Sequence, residues 1–415
     1  MVEFPQSRFF DSKTQPSMFT LVLLASISML AMNSFLPSLP SMALHFGTTT
    51  AIMGLSVAIY LGSSAVLQIL VGPLSDKFGR RPALLWSLGI FIFASFACVF
   101  AQSTAVFMSL RAIQAFAACA MVLSRAIVRD TTDTQTSGSK IAYISMGMAI
   151  TPMFAPALGG FLDNWFGWQA NFWMIGGVGT LIWIVTYFDQ GETALPNTEG
   201  FQKQLKEYPE LLASRRFWGF CLASAFGGGA FFAYLGGGSF VGSVVFDLSP
   251  EKLGIYFGAP AIGYFAGNFI SGRYTVRFGI DAMILYGLNI ILIGMTSSVI
   301  LSYLGYGTVE SFFGFMVFVG LGNGLCIPNA TAGMLSIRPH LAGVASGLGG
   351  SISIAGGAGL STVAGAILVP GSTEMPLLIL MWASSLAGVI LILSVRRRNK
   401  NLSLSIQCSA GCNAK

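Results

Sequence analysis

The sequence predicts an all-α integral membrane protein, with twelve transmembrane helices in two six-helix pseudo-repeats. Three observations carry that prediction. Of 415 residues, 22 are Lys or Arg and 16 are Asp or Glu, 9% in all, against about 25% in a soluble domain. Apolar residues make up 54%, too much for a disordered chain, which needs low hydrophobicity. The apolar residues also cluster in stretches of about 20, the length that crosses a hydrocarbon core. Ten-residue alternating strands, the pattern of a membrane barrel, are absent.

The first expected span, 17–37, follows Arg8 and Lys13. It is too long for a signal-peptide core and ends at Pro37 and Pro40 rather than at a small-residue cleavage site, so it is read as a retained helix. Spans at 51–71, 83–101, 105–128, 141–162 and 169–188 complete the N-terminal half, residues 1–188. The interval 189–216 carries Asp189, Glu192, Glu199, Lys203, Lys206, Glu207, Glu210, Arg215 and Arg216. It reads as a cytoplasmic linker, helical over 201–212. Spans at 217–244, 253–272, 281–303, 311–334, 342–368 and 375–395 form the C-terminal half, 217–395, and 396–415 is a cytoplasmic tail.

Basic residues sort by loop. One set of connections holds Arg8, Lys13, Lys77, Arg80, Arg81, Arg129, Lys140, Lys203, Lys206, Arg215, Arg216, Arg273, Arg277, Arg338, Arg396, Arg397, Arg398, Lys400 and Lys415. The other holds Lys252, and Arg111 and Arg125 lie within the fourth span. Positive loops stay in the cytoplasm, so both termini are expected there, in a multi-pass protein of the inner (plasma) membrane. The net charge of +6 is thus topological and implies no nucleic acid partner. Cys98, Cys119, Cys221 and Cys326 fall in spans, where Cys is a small hydrophobe. Cys408 and Cys412 sit in the tail, and two thiols alone make no zinc site.

The halves echo each other at an offset of 200 residues. Gly72, Lys77, Phe78 and Gly79 align with Gly272, Arg277, Phe278 and Gly279. Gly54 aligns with Gly254, Gly147 with Gly347 and Gly159 with Gly359. Internal repeats with a site between them near the midplane are characteristic of secondary transporters.

The loop 72–82 reads Gly72-Pro73-Leu74-Ser75-Asp76-Lys77-Phe78-Gly79-Arg80-Arg81-Pro82. It resembles motif A of the major facilitator superfamily, in its usual place between the second and third spans. The residues suggest a gating latch of Gly72, Asp76, Gly79, Arg80, Arg81 and Arg129. Asp76 is expected to accept from Arg129 or Arg125 and to hold the two halves together in one access state. Val276 replaces the acid in the second-half echo.

Span five carries Gly147 and, eight residues on, Ala155-Pro156-Ala157-Leu158-Gly159-Gly160. This resembles the antiporter motif of drug-exporting facilitators, with Ala155 in place of Gly, and the resemblance implies export. Small residues let helices approach closely, and Pro156 removes a backbone hydrogen bond.

Arg111 in the fourth span is costly in a bilayer and must face the interior with partners. Gln114, at i+3, shares its face, and the pair is similar to the family's R-x-x-Q motif, which the family associates with proton transfer. Asn33-Ser34-Phe35-Leu36-Pro37-Ser38-Leu39-Pro40 and Ser124-Arg125-Ala126-Ile127-Val128-Arg129-Asp130 resemble the twelve-helix drug/proton antiporters typified by bicyclomycin- and chloramphenicol-resistance exporters. The membrane acid of that subfamily is Asn33 here. Every Asp and Glu lies in a loop or at a helix end, and so do His45 and His340. Three energy sources stand open: an end acid such as Asp130, Asp163 or Asp247 reaches the cavity, the substrate carries the balancing charge, or transport is facilitated exit. Asn33 is expected to accept a hydrogen bond from Arg111.

In this architecture spans one, four, seven and ten line the cavity. Asn33, Arg111, Gln114, Phe231, Tyr234 and Asn323 are the expected substrate or coupling residues, with Phe240 and Asn329 on the same faces. Their mixture of aromatic surface and few polar groups suits a small molecule. The glycine runs 227–229 and 236–238 and those of span eleven are hinges or packing surfaces. No Gly-Lys-Ser/Thr follows a strand, so ATP drive is unsupported. The expectation is a monomeric exporter of small amphipathic drugs or metabolites, with protons and the lipid bilayer as further partners and with neither cofactor nor metal. The alternatives are uptake or exchange of a polar or anionic metabolite, and a non-transporting sensor on the same fold. An enzyme is the least expected class, because no cluster of catalytic residue types occurs in the spans.

Overall fold

The computed structural model describes residues 9–12, 14–131, 134–193, 209, 211–337 and 342–412, and among these every regular element is helical. The main helices are α1 (Met18–His45), α2 (Thr50–Phe78), α3 (Arg80–Val99), α4 (Thr104–Val128), α5 (Thr134–Phe166) and α6 (Gln169–Asp189). They continue as α7 (Arg215–Val245), α8 (Pro250–Phe278), α9 (Ile280–Tyr303), α10 (Val309–Ile337), α11 (Ala342–Ile367) and α12 (Met375–Cys412). Each covers one expected span. Eleven helices among the described residues are long and apolar enough to cross a membrane, and α5 supplies the expected span 141–162.

Most of the expected linker helix 201–212 lies outside the described residues. So do Arg8, Lys13, Glu199, Lys203, Lys206, Glu207, Glu210, Arg338, His340 and Lys415, and the side chains of Arg129, Arg398, Lys400, Cys408 and Cys412.

Local chemistry sets the breaks. In α1 the regular helix stops at Asn33, a 3-10 turn covers Leu36–Ser38, and helix resumes over Leu39–His45. Pro37 and Pro40 sit in the first turns of these pieces, where a missing N–H leaves no helical hydrogen bond unmade. The prolines therefore re-aim the span rather than end it. In α4 the helix is interrupted after Gln114 and restarts at Ala117, with the tighter bonds Phe116 N to Ile113 O and Ala118 N to Ala115 O between. Gly79 and Gly279 end α2 and α8 with φ of 96° and 81°, a conformation glycine adopts without steric cost. The tail expected after 395 continues as helix to Cys412.

Within the N-terminal half α1 packs on α4 and α5, α2 on α4, and α3 on α6. In the C-terminal half α7 packs on α10, α11 and α12, and α10 on α8 and α9. Between the halves, α2 meets α7 and α11, and α5 meets α8.

The end of the bundle carrying loop 72–82 and the linker is the basic end, and the opposite end, with Asp163, Asp247, Glu251, Glu310 and Glu374 against Lys252, is acidic. At the acidic end the halves touch backbone to backbone. A Cβ on Gly54 would stand 2.6 Å from the carbonyl oxygen of Gly236. One on Gly254 would strike the carbonyl of Pro156, and one on Gly160 the carbonyl of Pro250. Ser239 Oγ donates to the Leu36 carbonyl at 2.7 Å, and Asn164 Nδ2 to Glu251 Oε2 at 3.5 Å.

Candidate functional site

Arg111 is completely buried at the last turn before the break in α4. Its Nη1 donates to the Ala31 carbonyl at 3.2 Å and to Gln114 Oε1. Gln114 Nε2 donates on to Ser95 Oγ at 2.8 Å, which fixes the amide's orientation through α3. The guanidinium lies 4.1 Å from the Phe35 ring centroid and 4.7 Å from that of Tyr60, an arrangement in which ring quadrupoles stabilise a cation. Tyr60 is held by its hydroxyl, 2.9 Å from Ser28 Oγ. Nε and Nη2 of Arg111 have no hydrogen-bond partner. The site therefore offers one desolvated cation with unmet donors, walled by aromatic rings.

Asn33 does not take the expected bond from Arg111. Its Nδ2 donates to Met29 O at 2.8 Å, one turn back along its own helix. The neighbouring carbonyl of Ala31 meets the guanidinium instead, because α1 presents that backbone group as it approaches its break.

In the C-terminal half Tyr234 is fully buried with its hydroxyl unpartnered. Its ring centroid is 4.8 Å from Phe257, 6.2 Å from Phe313, and 6.5 Å from both Phe312 and Phe231. Asn323 is buried with Oδ1 unpartnered, facing Gly227 of α7. Asn329 is consumed by structure. It donates to Ser271 Oγ and Leu325 O and accepts from Thr275 Oγ1. Phe240 is core. The structure groups Arg111 and Gln114 with α1, α2 and α3, and Tyr234 with α8 and α10, so the two clusters belong to opposite halves.

The loop 72–82 is tied together through Arg80. Asp76 Oδ1 pairs with Arg80 Nη1 at 2.5 Å, Arg80 Nη1 also reaches Ser75 Oγ, and Arg80 Nε pairs with Asp130 Oδ2 at 2.9 Å. Arg80, one turn from Asp76, thus links Asp76 to Asp130; the side chain of Arg129, an expected partner of Asp76, lies outside the described residues. Arg125 Nη2 contacts Met148 Sδ at 3.9 Å. Arg81 belongs to another junction: its Nη2 donates to Tyr187 O at 2.8 Å and its head lies over the Tyr187 ring. The Glu192 carboxylate accepts from the backbone N–H groups of Arg80 and Arg81 at 2.8 and 3.2 Å, placing an anion where the α3 dipole favours one. Gly79 is crowded by Glu192, whereas Gly72 faces open space. These contacts lie within the N-terminal half and its linker.

The α5 motif residues are contact surfaces. Gly147 lies under Val22 of α1, and Ala155 is buried. Pro156 and Gly160 meet α8 through backbone, and Gly159 faces the Ser34 carbonyl and Asn171 Oδ1. Asn171 Nδ2 binds Gly159 O and Ser38 Oγ. Beside them Asp163, just past the expected span, accepts from Ser41 Oγ at 2.7 Å. It is 7% exposed, no cation pairs with it among the described residues, and burial pushes its carboxyl above the usual carboxylate range against the Ser41 and Ser38 hydroxyls. Of the other end acids, Asp130 is ion-paired and Asp247 is exposed.

Sequence reasoning missed Phe35, Tyr60 and Ser95 around Arg111, and Ser41 and Asn171 around Asp163. Phe35 and Tyr60 are two among many aromatics, and nothing local distinguishes them.

The model of the Major Facilitator Superfamily matches residues 21–362. The chloramphenicol resistance protein of Pseudomonas aeruginosa is 29% identical over 392 residues, covering 92% of this chain and 91% of that protein. The bicyclomycin resistance protein homolog of Haemophilus influenzae is 25% identical over 391 residues, covering 92% and 96%. A crystal structure of the peptide transporter POT in complex with sulfate superposes with a TM-score of 0.75 at 13% identity, covering 96% of this chain and 97% of that one, and so shares the fold.

Proposed function

Because the chain belongs to the Major Facilitator Superfamily, a family of membrane transporters for small molecules and not of enzymes, we propose that it exports small amphipathic drugs or metabolites by alternating access. The observation that carries this reading is the Arg111 station: a cation with unmet donors, walled by Phe35 and Tyr60. A ligand with an apolar body and one electron-rich polar group matches it, and relatives named for chloramphenicol and bicyclomycin resistance align over most of the chain. The two halves act as six-helix pseudo-repeats. The basic end faces the cytoplasm of a plasma-membrane monomer, with both termini inside. The backbone contacts of Gly54, Gly254 and Gly160 close the acidic end in this arrangement, and that seam parts in the other access state.

Asp163 is the carboxylate we assign to proton coupling, in place of the acid replaced by Asn33. It stands beside the α5–α8 contact, so gaining or losing a proton there acts on the surfaces that must part. The test is expression in an efflux-deficient host, measuring accumulation of a drug and metabolite panel with and without a protonophore. Lower accumulation that a protonophore abolishes is expected. Protonophore-insensitive export sinks the coupling, and unchanged accumulation of every compound sinks export. The second reading is uptake or exchange of an anionic metabolite. The unmet Arg111 donors, with no carboxylate paired to them among the described residues, favour it, and inward counterflow of a labelled organic anion would decide for it.

A further inference from the structure

At the basic end a groove of about 260 Å³ opens between the start of α7 and the end of α12. Arg215 and Arg216 form its rim, and Leu222, Leu391 and Val395 form an apolar floor. No acidic residue lines it, and neither arginine has an ion-pair partner among the described residues. Arg216 is half-buried, with Nε buried and unpartnered. The groove lies where the apolar spans begin at 217 and end at 395, so cationic heads stand above an apolar channel at the level of lipid headgroups. Trp218, on the same wall, is fixed by its indole N–H donating to Leu212 O at 2.8 Å, and tryptophan favours that interfacial depth. The α7 N-terminus, capped by Ser214, adds a partial positive charge to the rim.

We propose that this groove binds an anionic phospholipid of the adjacent leaflet, its phosphate between Arg215 and Arg216 and an acyl chain along Leu222, Leu391 and Val395. The chemistry is that of basic pockets between transmembrane helices that hold lipid phosphates. Two arginines without counter-ions among the described residues need an anion, and the apolar floor directly below needs a hydrocarbon. A free phosphate satisfies the first need alone, and a zwitterionic lipid carries no net charge to meet it. The site is independent of what the protein transports.

The test is native mass spectrometry of the purified full-length chain, titrated with phosphatidylglycerol and with phosphatidylcholine of the same acyl length. Phosphatidylglycerol is expected to bind at least tenfold tighter. A basic side chain near an anionic lipid contributes roughly fivefold, so Arg215→Gln with Arg216→Gln should weaken phosphatidylglycerol about 25-fold and leave phosphatidylcholine unchanged. Arg215→Lys with Arg216→Lys keeps the charge and should retain most binding, which separates recognition from misfolding. Arg396→Gln with Arg397→Gln removes the same charge from exposed residues outside the groove and should change affinity less than twofold. Equal losses from the two glutamine pairs, equal binding of both lipids, or full competition by inorganic phosphate would each overturn the proposal.

Discussion

Substituting Gly54 with alanine tests whether the acidic end is a seam that must open. The added methyl would stand 2.6 Å from the Gly236 carbonyl oxygen, about 1 Å inside ordinary contact. The obstacle is backbone, so no rotamer relieves it. Gly236 in turn lies against Ser361 of α11, so α7 cannot retreat without moving a third helix. Overpacking of this kind costs about 1–3 kcal/mol, and only while the seam is closed. The ratio of closed to open states should therefore fall roughly 5- to 150-fold.

Gly62→Ala is the matched control, because it lies on the same helix with nothing within 4 Å of its Cβ position. Both substitutions gain about 0.5–1 kcal/mol of helix propensity, which is common to the open and closed states and cancels from their ratio. The reporter is Ser239→Cys in a background without other cysteines. Ser239 is fully buried in the closed seam, so a membrane-impermeant maleimide added outside should label it slowly. Faster labelling is expected with Gly54→Ala and not with Gly62→Ala. If Gly54→Ala folds like the control and leaves labelling unchanged, the seam is not a moving surface.

Three further outcomes are expected. Arg111→Lys keeps the charge but loses the planar head that lies over Phe35 and Tyr60; transport should fall about ten- to a hundredfold with unaltered expression, measured as initial rates in vesicles. Asp163 has its carboxyl raised by burial in the closed seam, so the seam's stability is full below the unperturbed value of about 3.9 and declines as pH rises through the raised one; labelling of Ser239→Cys, divided by that of a freely exposed cysteine to remove the thiolate's own pH dependence, should accelerate with pH, and Asp163→Asn should reduce that remaining dependence, with Glu251 and His45 as the other ionisable groups at this end. Asp189 is fully buried and accepts from the backbone N–H groups of Phe10 and Ser17, both at 2.9 Å; Asp189→Asn leaves one of these donors facing an amide NH2 and should cost about 1.5–3 kcal/mol, read as a lower Tm.

Much of the fold was legible in the residues themselves. A chain in lipid must satisfy its backbone within each helix, so apolar length translates directly into spans and basic loops into topology. Gly79 and Gly279, aligned by the repeat, both adopt positive φ. The exceptions were local. Pro37 and Pro40 looked like an end and are a bend, because each found a first-turn position. The site was legible only as residue types. Arg111 had to be interior, yet its partners are the Ala31 carbonyl and two rings rather than Asn33. Asp76 had to be paired, and the described residues add Arg80, which pairs with it and bridges to Asp130.

The sequence by itself determined the membrane class, the spans, the clustering of positive charge at one end and the presence of a costly buried cation, since each follows from transfer free energies that depend on composition and order alone. The tertiary structure decided which end is closed, which acid is buried beside the closure and which carbonyl meets the guanidinium. The closure is made by backbone atoms at bare glycines, and the guanidinium meets the backbone carbonyl of Ala31. A backbone carbonyl is chemically the same at every position, so only the three-dimensional approach of two helices selects the one that matters.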